Sequence, residues 1–314
     1  MKAEKAREII ERFPNLSKRE LAKLLYKENP ILFKDYEAAR FAIRAVTGAV
    51  GNRKWKYEQS DKYIGRLPEG EKNDFSPFVL KGKRIGIISD THIPYHDLAA
   101  IQIALTELKQ KEIDTLILDG DIIDCYQLSR FEKDPNKRSF AHEINLLNGF
   151  LDDLKEYFLG VNIVYKSGNH ERRFLKFMQQ KAPELLGLQI LTWDNLIGHR
   201  VTTVQGKNVI KAGKLNIIHG DEFGDSIFSP VNAARGLYLR SKTNTIAGHS
   251  HVTSEHVERD LNDSITGCWS IGSLCDLHPD WKPINKWNHG FCYVEIEGEN
   301  FSVKNYKIIN GRIV

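Results

Sequence analysis

The chain has 314 residues, 41% hydrophobic and 27% charged, with a formal net charge of +4. That balance supplies one large core and a small appendage and excludes a wholly disordered chain. No apolar run approaches the roughly 20 residues of a bilayer crossing, and the opening MKAEKAREIIERF lacks the apolar middle of a signal peptide, so the expected location is the cytoplasm. Charge is uneven: residues 1–84 carry 20 Lys and Arg against 12 Asp and Glu, a net +8, while the remaining 230 carry a net −4. Cys125, Cys268, Cys275 and Cys292 form no C-x-x-C pair, which fits reduced thiols better than a zinc knuckle or a disulfide framework.

Three helical patterns fill the first fifty residues. The first runs from about Ala3 to Phe13. Ser17 caps a second over Lys18 to Lys27, with Glu20 three residues on completing a capping box. Asp35 caps a third, in which Tyr36, Ala39, Ile43 and Val46 recur at helical spacing until Gly48. Residues 1–50 therefore read as a small all-α module of helix-turn-helix type. SKRELAKLL is its supporting helix, and Tyr36 to Val46, carrying Arg40 and Arg44, is the one that enters a groove. The basic cluster Arg53-Lys54-Trp55-Lys56 follows. An ordinary three-helix packing module with surplus surface charge is the alternative. Residues 51–82 mix Gly, Pro and charge without a sustained period and read as a linker.

From residue 83 to 314 the pattern changes to short β-branched runs: RIGIIS, TLILDG, NIVYKSG, LNIIHG and NTIAGHS. Helical stretches near 97–110, 140–158 and 171–180 separate the early ones, an alternation that predicts α/β layers. Each of the five runs ends in metal-capable side chains: Asp90 and His92, Asp121, Asn169 and His170, His219, and His249 with His251. Strand ends at one sheet edge converge, and that edge is where α/β sheets bind ligands. Alternate residues leaving a strand point the same way, which aims Asp90 with His92, and His249 with His251, at one point. Gly120, Gly168, Gly220 and Gly248 are expected to give the turns their backbone freedom. Carboxylate with imidazole suits Mn, Fe, Zn or Ni better than Ca or Mg.

In order, DTH (90–92), GDIID (120–124), GNHE (168–171), His219 and GHSH (248–251) form a series that resembles the calcineurin-like metallophosphoesterase superfamily over roughly residues 84–295. The resemblance implies a layered β-sandwich flanked by helices, and hydrolysis of phosphate esters by a metal-bound hydroxide. It assigns Asp90, His92 and His251 to a first divalent ion and Asn169, His219 and His249 to a second, with Asp121 bridging. Manganese is the first choice of metal, with iron, zinc or nickel as alternatives. It further implies that His170 is the general acid, oriented by Asp124. Arg172 and Arg173, opening a helix, are candidates to hold the phosphate. Protein phosphatases of this superfamily read GDxxDRG. Here Cys125 and Tyr126 follow Asp124, which favours a phosphodiesterase or nuclease acting on nucleic acid or nucleotides over a phosphomonoesterase or protein phosphatase. An inactive nucleic-acid-binding protein is a third reading, opposed by the complete ligand set. Trp269, Trp281 and Trp287 read as core or loop packing, and His289 as a surface or packed histidine, with capping of the cleft as the alternative.

Overall fold

A computed structural model of the protein describes residues 1–48, 70–71, 75–134, 136–137, 139–224 and 231–314. The chain divides into two compact units, Met1–Asp74 and Phe75–Val314.

In the first unit the helices are α1 (Lys2–Arg12), α2 (Lys18–Glu28) and α3 (Tyr36–Val46). Ser17 Oγ accepts from Glu20 N at 3.3 Å while the Glu20 carboxylate accepts from Ser17 N at 2.9 Å, which satisfies two of the donors that a helix start leaves open. Asp35 Oδ1 does the same for α3 by accepting from Ala38 N at 2.7 Å. The apolar stripes close on a core of Ala6, Ile9, Leu21, Ala22, Leu25, Phe33, Ala39, Ile43 and Val46. Arg40 and Arg44 stay on the exposed side of α3, Arg40 paired with Glu37 at 3.1 Å.

Of the expected linker, residues 51–69 and 72–74, with the Arg53-Lys54-Trp55-Lys56 cluster, lie outside the described residues. Its last stretch is not a linker. Phe78–Val79 forms β1, which pairs with Ile210 and Lys211, and Leu80 is buried, so the apolar FVL run supplies an edge to the second unit.

The second unit then runs β2 (Arg84–Ile88), α4 (Leu98–Gln110), β3 (Thr115–Asp119), α5 (Phe140–Tyr157), β4 (Asn162–Lys166), α6 (Glu171–Lys181), α7 (Trp193–Leu196), β5 (Thr202–Val204), β6 (Ile210–Ala212), β7 (Leu215–Ile218), α8 (Ala233–Ser241), β8 (Thr245–Ala247), β9 (Ser254–Arg259), β10 (Ile265–Ser270), β11 (His289–Glu297), β12 (Asn300–Ile309) and β13 (Arg312–Ile313). The strands form two sheets, a 7-stranded one ordered β13-β12-β11-β2-β3-β4-β5 and a 6-stranded one ordered β1-β6-β7-β8-β10-β9.

Alternation along each strand builds the layers. Ile85 and Ile87 of β2, Ile117 of β3 and Val164 of β4 face Ile210, Leu215, Ile217, Ile246 and Trp269 of the other sheet. Ile88, Leu116, Leu118 and Tyr165 face outward onto Ile101, Ala104 and Leu108 of α4 and Leu147, Leu151 and Leu154 of α5. β2, β3 and β4 are buried on both faces, which is why they read as unbroken apolar runs. The expected layered sandwich is present. One detail differs: the five runs that carry the metal-capable residues do not share a sheet edge. β2, β3 and β4 belong to the larger sheet, β7 and β8 to the smaller, and the site is assembled where the ends of the two sheets meet.

Among the described residues the core of the first unit is nine buried side chains, so the stability of this helical part is concentrated in a small core. Phe33, fully buried, should cost about 3–5 kcal/mol when replaced by Ala. Limited proteolysis of Phe33→Ala is expected to cut within the first 48 residues while a fragment beginning near Phe75 survives.

Candidate metal centre

Each loop that leaves a strand is held by a carboxylate that accepts from backbone N–H groups, and this fixes which atoms face the centre. Asp90 Oδ2 accepts from Ser89 Oγ at 2.6 Å and from His249 N at 2.8 Å, tying the β2 loop to the β8 loop across the two sheets. Its fully buried Oδ1 has no hydrogen-bond partner among the described residues, and it lies 3.1 Å from His251 Nε2 and 3.8 Å from His92 Nε2. The two imidazole Nε2 atoms are themselves 3.2 Å apart. Asp121 Oδ1 accepts from His170 N at 2.8 Å, and its Oδ2 sits 3.2 Å from His219 Nε2. That nitrogen is 3.3 Å from Asn169 Oδ1, and His249 completes the group beside it.

The second ring nitrogens of His219, His251 and His92 are anchored. His219 Nδ1 donates to the Asp119 carbonyl at 2.7 Å, and His251 Nδ1 faces Cys275 Sγ at 3.8 Å. His92 Nδ1 donates to Asp124 Oδ1 at 3.2 Å. Anchoring one ring nitrogen leaves the other's lone pair for the centre. The seven residues Asp90, His92, Asp121, Asn169, His219, His249 and His251 thus converge from five loops.

Strand alternation is not what aims them. Asp90, His92, Asp121, His249 and His251 all have positive φ, between 49° and 63°, in the left-handed region that side chains other than glycine rarely adopt. The loops turn back on themselves residue by residue, and each such residue carries a backbone cost of about 1–3 kcal/mol that the surrounding hydrogen bonds must offset. Of the expected turn glycines, Gly120 does need its freedom at φ +81°, whereas Gly168 and Gly248 do not have positive φ. Their requirement is closeness: a Cβ on Gly168 would overlap Asp121 and His219, and one on Gly248 would overlap Ser89 and Asp90.

His170 lies at the edge of the centre, its Nε2 3.8 Å from Asp121 Oδ2. Asp124 Oδ1 lies 3.0 Å from His170 Nδ1, so one carboxylate oxygen serves both His92 and His170. Burial alone would raise the Asp124 pKa, but hydrogen bonds from both imidazoles hold it far below the usual carboxylate range. Burial likewise opposes ionisation of Asp90, and the facing His251 reverses it.

The two arginines diverge. Arg173 Nη2 donates to His170 Nε2 at 2.9 Å and Nη1 to the Asp124 carbonyl at 2.8 Å. Arg172 instead donates to the carbonyls of Ser167 and Gly206, each at 3.1 Å, and pairs with Asp221. Its donors tie the β4 loop to neighbouring loops, where a grip on phosphate was expected. His289 is half-buried and packed, its Nε2 donating to the Cys275 carbonyl at 2.9 Å. Trp269 packs in the sandwich as expected, but Trp281 is 72% exposed and the Trp287 ring lies tilted at 52° against the His251 ring, with centroids 4.2 Å apart.

The supports of the site are residues that sequence reasoning does not find. Glu171, the last letter of GNHE, is 3% exposed and accepts from Gly168 N (2.7 Å), Asp121 N (3.0 Å), Ile122 N (2.9 Å) and the Tyr165 hydroxyl (2.8 Å). Glu222 accepts from His219 N at 3.0 Å and Gly220 N at 2.6 Å and pairs with buried Lys166 at 2.7 Å. Burial opposes its ionisation, but Lys166 and these N–H groups bring its pKa down to about 2.

A family model described as calcineurin-like phosphoesterase matches residues 83–270. Gene 54 protein of Mycobacterium phage L5 is 25% identical over 247 residues, and that of phage D29 is 24% identical. Each alignment covers 73% of this chain and 95% of the relative. Among solved structures, Vps29 of Entamoeba histolytica complexed with zinc superposes with a TM-score of 0.40 at 15% identity, covering 74% of this chain and 96% of that one. A dimetal phosphatase from Danio rerio gives 0.37 at 11% identity, covering 71% and 95%.

Removing the Glu171 carboxylate would strand buried N–H donors on two loops at once. Each such donor costs about 1–3 kcal/mol, so Glu171→Ala should lose at least about 3 kcal/mol of stability in denaturant titrations and lose metal affinity with it. An unchanged unfolding midpoint would reject the clamp.

Proposed function

Because the chain belongs to the calcineurin-like phosphoesterase family, we propose that it is a two-metal phosphodiesterase or nuclease acting on nucleic acid or nucleotides. The observation that carries the metal assignment is the crowding of ligand atoms at the centre. Asp90 Oδ1 lies 3.1 Å from His251 Nε2, the Nε2 atoms of His92 and His251 are 3.2 Å apart, and Asp121 Oδ2 is 3.2 Å from His219 Nε2, the carboxylate and imidazole donors that a divalent cation gathers. Asp90, His92 and His251 would hold one divalent ion and Asn169, His219 and His249 the other, with Asp121 shared. The imidazole and carboxylate donors suit manganese, iron, zinc or nickel. Two such ions, when bound, supply Lewis acidity at the phosphoryl oxygens and an activated water as nucleophile.

The chain's own groups do the rest. His170, at the edge of the centre, protonates the leaving oxygen from Nε2. Asp124 accepts a hydrogen bond from its Nδ1–H and steadies the imidazolium until the Nε2 proton leaves, as its strongly ionised carboxylate is suited to do. Arg173 donates to that same Nε2, so it must turn aside before His170 acts. The phosphoryl oxygens are the anionic acceptors to which a released guanidinium would turn. Cys125, buried in the place where protein phosphatases of this superfamily carry an arginine, offers no such grip, and this supports a diester over a phosphoprotein. The basic front of the chain, net +8 over residues 1–84, supports a polyanionic substrate.

With manganese, hydrolysis of bis-p-nitrophenyl phosphate should exceed that of p-nitrophenyl phosphate; the reverse preference would overturn the diester reading. His170→Ala should retain about two metals per chain by elemental analysis and lose roughly 10²- to 10⁴-fold in turnover. The loss should be smaller for nitrophenolate than for poor leaving groups. An equal loss on both would mean that His170 positions and does not protonate.

A chain beginning at Phe75 should hydrolyse the small diester at close to the full rate and bind DNA or RNA more weakly. Its slope of log K against log salt should be shallower by roughly 0.7–0.9 for each phosphate that the helical module neutralises in the full chain. Identical affinity and slope would leave that module without a role on nucleic acid.

A further inference from the structure

Beside the first metal position lies a cavity of about 120 Å³ whose floor includes His92 and His251. Its walls are aromatic. Tyr95 and Tyr126 meet edge to face at 6.4 Å on one part of the wall, and Trp281 and Trp287 meet likewise at 5.5 Å on another. Lys137 lies over the tyrosines and pairs with the neighbour of Trp281: its Nζ lies 5.8 Å from the Tyr95 ring, 5.2 Å from the Tyr126 ring and 3.4 Å from Asp280. An indole left 72% exposed beside a catalytic centre is surface that folding did not bury. We propose that this cavity is a nucleobase subsite, in which the base of the substrate stacks against Trp281 and Trp287 while its phosphate lies over His92 and His251. The inference rests on the phosphodiesterase reading and names the part of the substrate that reading leaves open.

Three features select a base over other groups. The cavity is small beside the roughly 300–1,000 Å³ that enclose whole drug-sized ligands, so it takes one ring system. It begins at the metal-facing imidazoles, with Trp287 4.2 Å from the His251 ring, and so it receives what is attached to the phosphate. Its rim offers the Lys137 amine and the Asp276 and Asp280 carboxylates, donors and acceptors that a base edge uses and a hydrocarbon ring does not.

The test uses the full chain with manganese and phosphonate isosteres of AMP, ribose 5-phosphate and phenyl phosphate, in which CH₂ replaces the bridging oxygen so that nothing is hydrolysed. Calorimetry should find the AMP isostere bound roughly 5- to 150-fold more tightly than the ribose one, the range that stacking of one base supplies. Trp281→Ala, a change at an exposed position, should bring that ratio toward one, and Trp281→Phe should keep most of it. Equal affinity for the AMP and ribose isosteres, or a ratio undiminished in Trp281→Ala, overturns the subsite. A benzylphosphonate bound as tightly as the AMP isostere overturns it in favour of an aromatic side chain on a phosphopeptide. Hydrolysis of bis-p-nitrophenyl phosphate without a base preference would strike only the subsite, and a base preference without diester hydrolysis only the reaction.

Discussion

Where the β3 and β4 loops cross, several backbone N–H groups point into the protein with no strand or helix to receive them, and one carboxylate, Glu171, accepts from Gly168, Asp121 and Ile122 together. Buried donors of this kind are costly unless paired. Pairing them on a single side chain makes the position of one loop depend on the other. Asp121 is thereby set at the middle of the centre, and the Tyr165 hydroxyl braces the clamp from the outer face of the sheet. Glu171 opens α6, where the helix dipole also favours a negative charge.

The same device recurs at the other crossings. Asp90 uses Oδ2 on His249 N and leaves Oδ1 facing the imidazoles; Asp121 uses Oδ1 on His170 N and leaves Oδ2 facing His219. Glu222 fixes the backbone of His219 while the ring's Nδ1 is held by the Asp119 carbonyl. In each case one acceptor organises the scaffold and its partner atom is left for the centre. Distances between ligands from two different sheets are set in this way by hydrogen bonds of 2.7 and 2.8 Å and not by strand register.

How much of this was legible in the sequence follows from the range of each interaction. The Ser17 and Asp35 caps, the three short helices and the doubly buried strands depend on neighbours a few residues away and read directly. The seven converging residues were legible because five strand ends carry them in an ordered series. The assignment of strands to two sheets was not, since β7 and β8 look like β3 and β4 until their partners are known. Nor were Glu171 and Glu222 as clamps: their partners are backbone atoms, which no residue type announces. Arg172 and Arg173 are adjacent and alike in sequence, and only three-dimensional acceptors separate the one bound to Asp221 from the one on His170. Trp281 reads as packed because an aromatic in a loop usually is, and its exposure depends on the shape of the cavity beside it.

Backbone strain and unpaired acceptors point to one physical conclusion about this centre. Five of its residues occupy left-handed backbone, and its buried carboxylate and imidazole atoms crowd within 3.1–3.2 Å of one another. Folding alone does not reward either feature, because glycine would relieve the first and hydrophobic replacement the second. A cation rewards both: it turns crowded ligand atoms into coordinated ones, and a ligand that binds only the folded state adds to its stability by mass action. Metal binding and the ordering of the five loops are therefore expected to be one equilibrium. The strained loops hold their shape through Glu171, Asp90 and Glu222, whose acceptors are satisfied by backbone in any case, so that the energy of coordination is directed to the few atoms those clamps leave free.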